Sequence, residues 1–373
     1  MPELRQHERL QLIRSAVSAG RGGTMIRRRP FASMARRWFL ASAASLIPLV
    51  ASSGCISIDL FGGGAAAPLK ETVLQGKRGP KILLLEIDGE IDAVPTIDPL
   101  FGSEAPSMVA RVTEALDRAR EDPEIRALLL RIDSPGGTVT ATDQIHSEIL
   151  RFKREMEVPV AAQLQSTATS GGYYIAMAAD VVQAHPTTLT GSIGVIYTSV
   201  SFAGLMDKLG IEDQTITSGE QKDAGSPLRR LRPEERAQLQ SIVDDLHARF
   251  RTIVAEGRPE LPADRVGELA DGRVFSAPQA LENGLVDRVG TLREAVRMLE
   301  DRLGVSESRV VRYHRPREIR RNLYSRIPDP RPPRLAPSGD LATELAGSFA
   351  LRRLDGILSR SGFLYLWWPA TLR

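Results

Sequence analysis

Cutting an amide bond without a cofactor takes a nucleophile, a base and well-placed backbone N–H groups, and three segments of this sequence could supply them. The first is Arg131-Ile132-Asp133-Ser134-Pro135-Gly136-Gly137-Thr138, where an apolar run meets Pro-Gly-Gly. Proline fixes one backbone angle and glycine opens conformations closed to other residues, so such a loop can turn N–H groups toward a substrate carbonyl. That is the raw material of an oxyanion hole, although the motif alone also fits an ordinary strand-ending turn. The second is Ala168-Thr169-Ser170-Gly171-Gly172-Tyr173-Tyr174-Ile175-Ala176. Here Ser170 opens a helix of small residues, where aligned dipoles favour developing negative charge, and Gly171 offers a second N–H with no side chain to block a peptide. The same serine could simply be an N-cap. The third is Ser218-Gly219-Glu220-Gln221-Lys222-Asp223-Ala224-Gly225-Ser226-Pro227, a polar glycine-containing loop. Lys222 could act as a general base if burial or a neighbouring charge lowered its pKa, and would otherwise be an ordinary surface lysine.

These segments need a scaffold, and the flanking periodicity supplies one. Ile82–Ile87, Ala127–Ile132 and Val158–Leu164 are short apolar runs of the buried-strand kind, and Val181–Ala184, Val195–Val200 and Glu212–Thr217 read as further strands. Helical spacing covers about 105–120, 141–154, 171–179, 202–209 and 233–256, the last with Leu239, Ile242, Val243, Leu246 and Phe250 on one face. Alternating strands and helices predict an α/β core of repeated ββα or βαβ units with peripheral helices.

Taken together, the order Pro-Gly-Gly, then Ser-Gly-Gly at a helix start, then Ser-Gly-x-x-Lys-Asp-x-Gly-Ser-Pro resembles the signal peptide peptidase A family, whose members carry a Ser–Lys dyad on a crotonase/Clp-protease-like core. Leu189-Thr190-Gly191-Ser192-Ile193-Gly194-Val195, Ala270-Asp271-Gly272-Arg273-Val274-Phe275 and Ala280-Leu281-Glu282-Asn283-Gly284-Leu285-Val286-Asp287 look like further family segments, and the resemblance covers about 80–300. It implies a serine endopeptidase in which Lys222 deprotonates Ser170. The oxyanion donors would be Gly136 or Gly137 together with Gly171. The implied substrates are cleaved signal peptides or other apolar membrane peptides, with a small apolar specificity pocket and a homo-oligomeric assembly. The separation of 52 residues between Ser170 and Lys222 suggests a dyad completed within one subunit. No cofactor is implied. His185 is expected to be structural, and Ser192 and Thr169 to line the site without a chemical role. Two other functions fit the fold: a non-catalytic membrane scaffold, and an acyl-CoA enzyme of the same superfamily, which would not need Ser170 and Lys222 together.

Composition argues against several other classes. The 373 residues carry a net charge of +3, but residues 1–37 alone hold nine Arg and two Glu, so the remainder is net negative. With aromatics at only 5%, neither a basic nor a stacking surface for nucleic acid is indicated. The lone Cys55 excludes an intrachain disulfide, and the five scattered histidines show no metal-binding spacing.

The organisation expected along the chain begins with a leader over 1–55. Basic Arg36-Arg37 precedes an apolar run from Leu40 to Ala51 and then Ser52-Ser53-Gly54-Cys55, the layout of an export signal. Cys55 resembles the lipidated cysteine of a bacterial lipoprotein, although Ser52 stands where an apolar residue is usual. Either lipidation or an uncleaved anchor would hold the domain at the extracytoplasmic face of the cell membrane. A glycine-rich tether over 56–80 follows, then a peptidase domain over 81–315, a Pro/Arg-rich linker over 316–340, and a C-terminal helix and aromatic tail over 341–373. The tail, with Phe363-Leu364-Tyr365-Leu366-Trp367-Trp368, could pack on the core or a neighbouring subunit, or sit at a membrane interface.

Overall fold

The computed structural model describes residues 68–97, 104–315, 322–323 and 362–367, all within the compact unit that spans Gly64–Arg373. Its frame is a mixed sheet in which β1 (Lys70–Gln75), β13 (Arg309–His314), β2 (Lys81–Asp88), β5 (Ile125–Ser134), β7 (Val160–Thr169), β8 (Val181–Ala184) and β12 (Arg288–Val289) lie side by side. From β13 to β12 every pair is parallel, and β1 runs antiparallel at the edge. Both faces of such a sheet must be covered, which is why β2 and β5 read as nearly continuous apolar runs. Beyond the end of β7, β9 (Leu189–Gly191) pairs with it in parallel, and β11 (Val274–Ser276) pairs with β9.

Side chains alternate between the two faces. Ile82, Leu84, Ala127 and Leu129 pack against α8 (Leu292–Leu303) through Leu292, Ala295, Val296 and Leu299. Leu83, Leu85, Leu128, Leu130 and Ile132 join the larger core formed with α1 (Met108–Arg120) and α2 (Val139–Met156). Each fully buried aliphatic side chain contributes roughly 1.5–3 kcal/mol. Polar insertions in this sheet are paired: Glu86, nearly fully buried, meets Arg131 at 2.8 Å on the adjacent strand and Arg312 at 2.5 Å.

The remaining elements follow in chain order around this frame. They are β6 (Gly136–Thr138), α3 (Gly171–Ala176), β10 (Ile196–Thr198), α4 (Ala203–Leu209), the 25-residue α5 (Pro233–Gly257), α6 (Ala263–Leu269) and α7 (Ala277–Glu282). β3 (Thr96–Ile97) and β4 (Glu104–Ala105) pair antiparallel as a separate two-stranded sheet. The final strand, β14 (Gly362–Leu366), pairs antiparallel with β6 on one side and β10 on the other.

This is the α/β core of strand–helix units with peripheral helices that the alternation predicts. Two local expectations differ. Lys70–Gln75, within the stretch read as a tether, is strand β1, held by a register with Tyr313 and Val311 that lies some 240 residues away in sequence. Glu212–Thr217, expected to be a strand, forms no regular element; it has no partner strand, and Ile216 is 97% exposed. The aromatic tail, where described, is a strand packed on the core, one of the placements the sequence left open. Cys55, the leader and the expected helix after 341 lie outside the described residues. Among the described residues no helix is long and apolar enough to cross a membrane.

Candidate active site

Strands β5 and β7 end side by side, with Ser134 opposite Ala168, and this register delivers the two candidate loops to one place. Ser170 follows β7 directly and caps α3 with φ 51°, ψ −115°. A non-glycine residue at positive φ costs of order 1–3 kcal/mol, and such strain persists where the surroundings over-determine it. Here the Ser170 amide donates to the carbonyl of Gly191 at 2.7 Å, and the Ser170 carbonyl accepts from Tyr174 at 2.9 Å. Ser170 is only 1% exposed.

Gly136 and Gly171 are in close contact. A Cβ built on Gly171 would stand 3.1 Å from the Gly136 Cα, and one built on Gly136 would stand 2.8 Å from the Gly171 amide nitrogen. Gly136 also has φ +101°, open to glycine and strained for other residues. The two N–H groups of the Gly-Gly pair have different fates. That of Gly136 donates to Ser134 Oγ at 3.1 Å. On the next residue the strand turns its hydrogen-bonding groups outward: the Gly136 carbonyl and the Thr138 N–H face Ile91, so the groups of Gly137 face the opposite side, toward β14.

On that side lies a peptide carbonyl. Tyr365 pairs with Gly137, and Trp367 N–H donates to the Pro135 carbonyl at 2.8 Å. Hydrogen-bonded and non-hydrogen-bonded pairs alternate in an antiparallel ladder, so the Trp367–Pro135 bond puts Tyr365–Gly137 in the hydrogen-bonding phase. The Tyr365 carbonyl oxygen lies 1.9 Å from where a Gly136 Cβ would be and 3.2 Å from where a Gly171 Cβ would be. Gly136, Gly137, Gly171 and the helix start at Ser170 thus surround one carbonyl.

The Tyr365 side chain is fully buried between α3 and α5. Its ring stacks on Tyr174 at 5.2 Å and lies 4.8 Å from Phe250, and its hydroxyl donates to the Leu246 carbonyl at 2.8 Å. Burial pushes the Tyr365 phenol above its ordinary pKa. Tyr174 in turn donates its hydroxyl to Asp143, which Arg249 also contacts at 2.9 Å. Burial raises the Asp143 carboxyl, but these two donors outweigh it and hold its pKa below the usual value. His146 meets the Tyr174 ring edge-on, and burial depresses its imidazole to about 4. The Tyr365 ring thus fills the space between Tyr174 and Phe250, with the Leu246 carbonyl at its hydroxyl end. In the sequence, the apolar face of α5 is the signal for Leu246 and Phe250, and no spacing marks Asp143 as their neighbour.

Lys222 is exposed on the loop between α4 and α5, and among the described residues no hydrogen bond joins it to Ser170. Its neighbour Asp223 anchors the loop: both carboxylate oxygens accept from Arg229 at 2.7 Å, and Arg229 and Arg232 converge on the buried Glu235. Hydrogen bonds from Arg229 hold both Asp223 and Glu235 below the usual carboxylate range. His185 pairs with Thr187 rather than with Ser170. Ser192, like Ser170, has φ 51° and is buried, with its amide donating to the Arg273 carbonyl. Among the described residues no group of His, Cys, Asp and Glu could hold a metal ion.

Comparison with known proteins bears on this arrangement. The profile of Peptidase family S49 matches residues 152–306. An Enterococcus faecium protein assigned as a signal peptide peptidase SppA is 36% identical over 244 residues, covering 65% of this chain and 70% of that protein. A Synechocystis protein assigned as a protease is 43% identical over 175 residues, 47% of this chain and 62% of that protein. The chloroplastic serine protease SPPA of Arabidopsis thaliana is 34% identical over 226 residues, 60% of this chain and 33% of that protein. Among solved structures, a ClpP1 mutant from Listeria monocytogenes aligns with a TM-score of 0.36 at 16% identity, covering 57% of this chain and 94% of that one.

Proposed function

The chain belongs to Peptidase family S49, the signal peptide peptidase A family, and is a serine peptidase; from that premise we propose that Ser170 is its nucleophile and Lys222 its general base. The observation that carries the reading is the strained, buried Ser170 at a helix start beside Gly136, Gly137 and Gly171, all facing one peptide carbonyl. Neutral Lys222 takes the Ser170 Oγ proton, and Oγ attacks the scissile carbonyl carbon. Of the two glycines left open by the motif, Gly137 is the donor we favour, because the Gly136 N–H is committed to Ser134. With Gly171 N–H it stabilises the oxyanion; the proton passes to the leaving amine, and water then releases the acyl group.

A lysine serves as a base only where desolvation or nearby charge strips its proton, and Lys222 is exposed in the single chain. We propose that a second copy covers it. The same segment displays Leu205, Leu209, Ile211 and Ile216 to solvent, each more than half exposed, an apolar surface of the kind that marks a protein contact. The substrates proposed are cleaved signal peptides or other apolar membrane peptides, read in extended form by the edges of β6 and β10. The leader, with Cys55 as its lipidation site, would hold the domain at the extracytoplasmic membrane face.

A serine-directed covalent probe and an apolar peptide substrate test the chemistry on detergent-solubilised protein. Label at Ser170 and cleavage that vanishes in Lys222→Ala are expected; full activity without Lys222 would end the dyad reading. Mixing Ser170→Ala with Lys222→Ala chains should leave activity absent if a second copy only covers a dyad held within one chain, and restored activity would show that the dyad spans two chains. Absence of fatty-acid label on the wild type would remove Cys55 from the reading.

A further inference from the structure

One wall of the groove is keyed to the loop that carries Lys222. Strand β10 forms that wall with Ile196 and Tyr197, which pair with Leu364 and Phe363, and the Tyr197 ring packs on the Phe363 ring at 5.1 Å. The hydroxyl end of Tyr197 meets Gly225, three residues after Lys222. A Cβ added at Gly225 would stand 2.2 Å from the hydroxyl oxygen and 3.4 Å from the ring carbon that bears it. Gly225 also has φ +82°, so glycine is required there by backbone and by space. We propose that Tyr197 is a positioning residue that touches a bound peptide with its ring and the Lys222 loop with its hydroxyl, so that filling the groove sets the place of the base. The inference rests on the reading of Lys222 as general base, and holds whichever copy's Ser170 that lysine serves.

The contact belongs to a longer seam. Past Tyr197 the chain stays beside the loop: Ser199 Oγ donates to the Gly225 carbonyl at 3.3 Å, Ser201 Oγ to the Arg229 carbonyl at 3.0 Å and the Phe202 N–H to the Pro227 carbonyl at 2.7 Å. Within the loop, the Lys222, Ala224 and Ser226 N–H groups donate to the Gly219, Gln221 and Asp223 carbonyls. These consecutive tight turns leave little slack between Gly225 and Lys222, so a shift at one is passed to the other. The loop has a second attachment, where Arg229 ties Asp223 to the fully buried Glu235 at the start of α5. It is thus held to α5 through Asp223 and abuts the groove wall at Gly225. A lysine is a point charge on a flexible stem, so the place of its amine depends on where the loop presents it. Displacing a catalytic group by about 1 Å can cost about 100-fold in rate, which gives this contact its leverage.

The test uses the full chain and apolar peptide substrates. Tyr197→Phe removes one oxygen from a half-buried side chain and keeps the ring, so it should lower kcat about tenfold and leave KM within about twofold of wild type. Changing the substrate residue two before the attacked carbonyl from alanine to phenylalanine should raise kcat at least about threefold in wild type, and should lower only KM in Tyr197→Phe. Gly225→Ala drives a methyl into the hydroxyl and should depress kcat; adding Tyr197→Phe leaves that methyl at ordinary contact distance from the ring and should recover at least about fivefold. A contact that serves folding alone would move melting temperatures and leave the phenylalanine effect on kcat intact in Tyr197→Phe. That result, or a wild-type kcat in Tyr197→Phe, would overturn the inference. Lys222→Ala measured alongside separates the two readings. If it is inactive while Tyr197→Phe keeps the wild-type kcat, only the inference falls; if it cleaves like wild type, the base reading falls and takes the inference with it.

Discussion

Gly136→Ala places one methyl group where the site can least accept it. The added Cβ would lie 1.9 Å from the oxygen of the carbonyl held in the groove and 2.8 Å from the Gly171 amide nitrogen. The first belongs to the Tyr365 backbone, which lies where we propose the scissile carbonyl binds, and the second begins α3 and is held by it. Losing one oxyanion donor typically costs about 100- to 1,000-fold in rate, or ~2.7–4 kcal/mol. Here the methyl takes the oxygen's own place, so the expected fall in kcat/KM on an apolar peptide is about 1,000-fold or more. The backbone also matters: φ at Gly136 is +101°, and an L side chain at positive φ costs about 1–2 kcal/mol of stability. Gly304→Ala is the control. It has φ +69° at the end of α8 and nothing within 4 Å of its added Cβ, so it carries comparable strain without intrusion. Thermal unfolding of both variants, measured beside their kinetics, separates folding from catalysis. If Gly136→Ala cleaves within about threefold of Gly304→Ala, the groove beside Gly136 is not where the scissile carbonyl sits.

Other perturbations probe separate parts of the structure. Ser170→Ala and Lys222→Ala should each abolish cleavage while leaving the melting temperature close to that of wild type. Asp223→Asn should weaken the Arg229 clamp that fixes the loop beside Lys222 and lower kcat more than it changes KM, whereas a change in KM alone would disconnect the clamp from the base. His146 has a pKa depressed from 6.5 to about 4, mainly by burial, so its contribution is intact above pH 6.5 and lost as pH falls toward 4. The ceiling is ~3 kcal/mol, and unfolding free energies of His146→Phe should depend less steeply on pH across that window than those of wild type. Glu86→Ala would strand Arg131 and Arg312 in the sheet and should cost about 3–5 kcal/mol in chemical denaturation.

What could be read from sequence was what local pattern encodes. Ile82–Ile87 and Ala127–Ile132 announce buried parallel strands because both faces are apolar, and the Ser-Gly-Gly and Pro-Gly-Gly turns announce themselves because few other residues fit their backbones. What escaped depends on partners distant in sequence. Thr72–Gln75 become a strand only because Val310–Arg312 lie beside them. Glu212–Thr217 reads as a strand but has no neighbour to pair with. Leu246 contributes a backbone carbonyl to the pocket, and no side-chain pattern advertises a carbonyl. The aromatic run at 363–367 reads as apolar from its composition, but its place between β6 and β10 follows from the tertiary fold.

Strand β14 is the middle member of a three-stranded sheet whose outer strands are each only three residues long. Lifting it out would bare two short backbone edges with apolar surroundings, and open edges are templates for aggregation and domain exchange. Strand β14 therefore shields both edges, and chains in which it is displaced should clump at concentrations where intact chains stay dispersed.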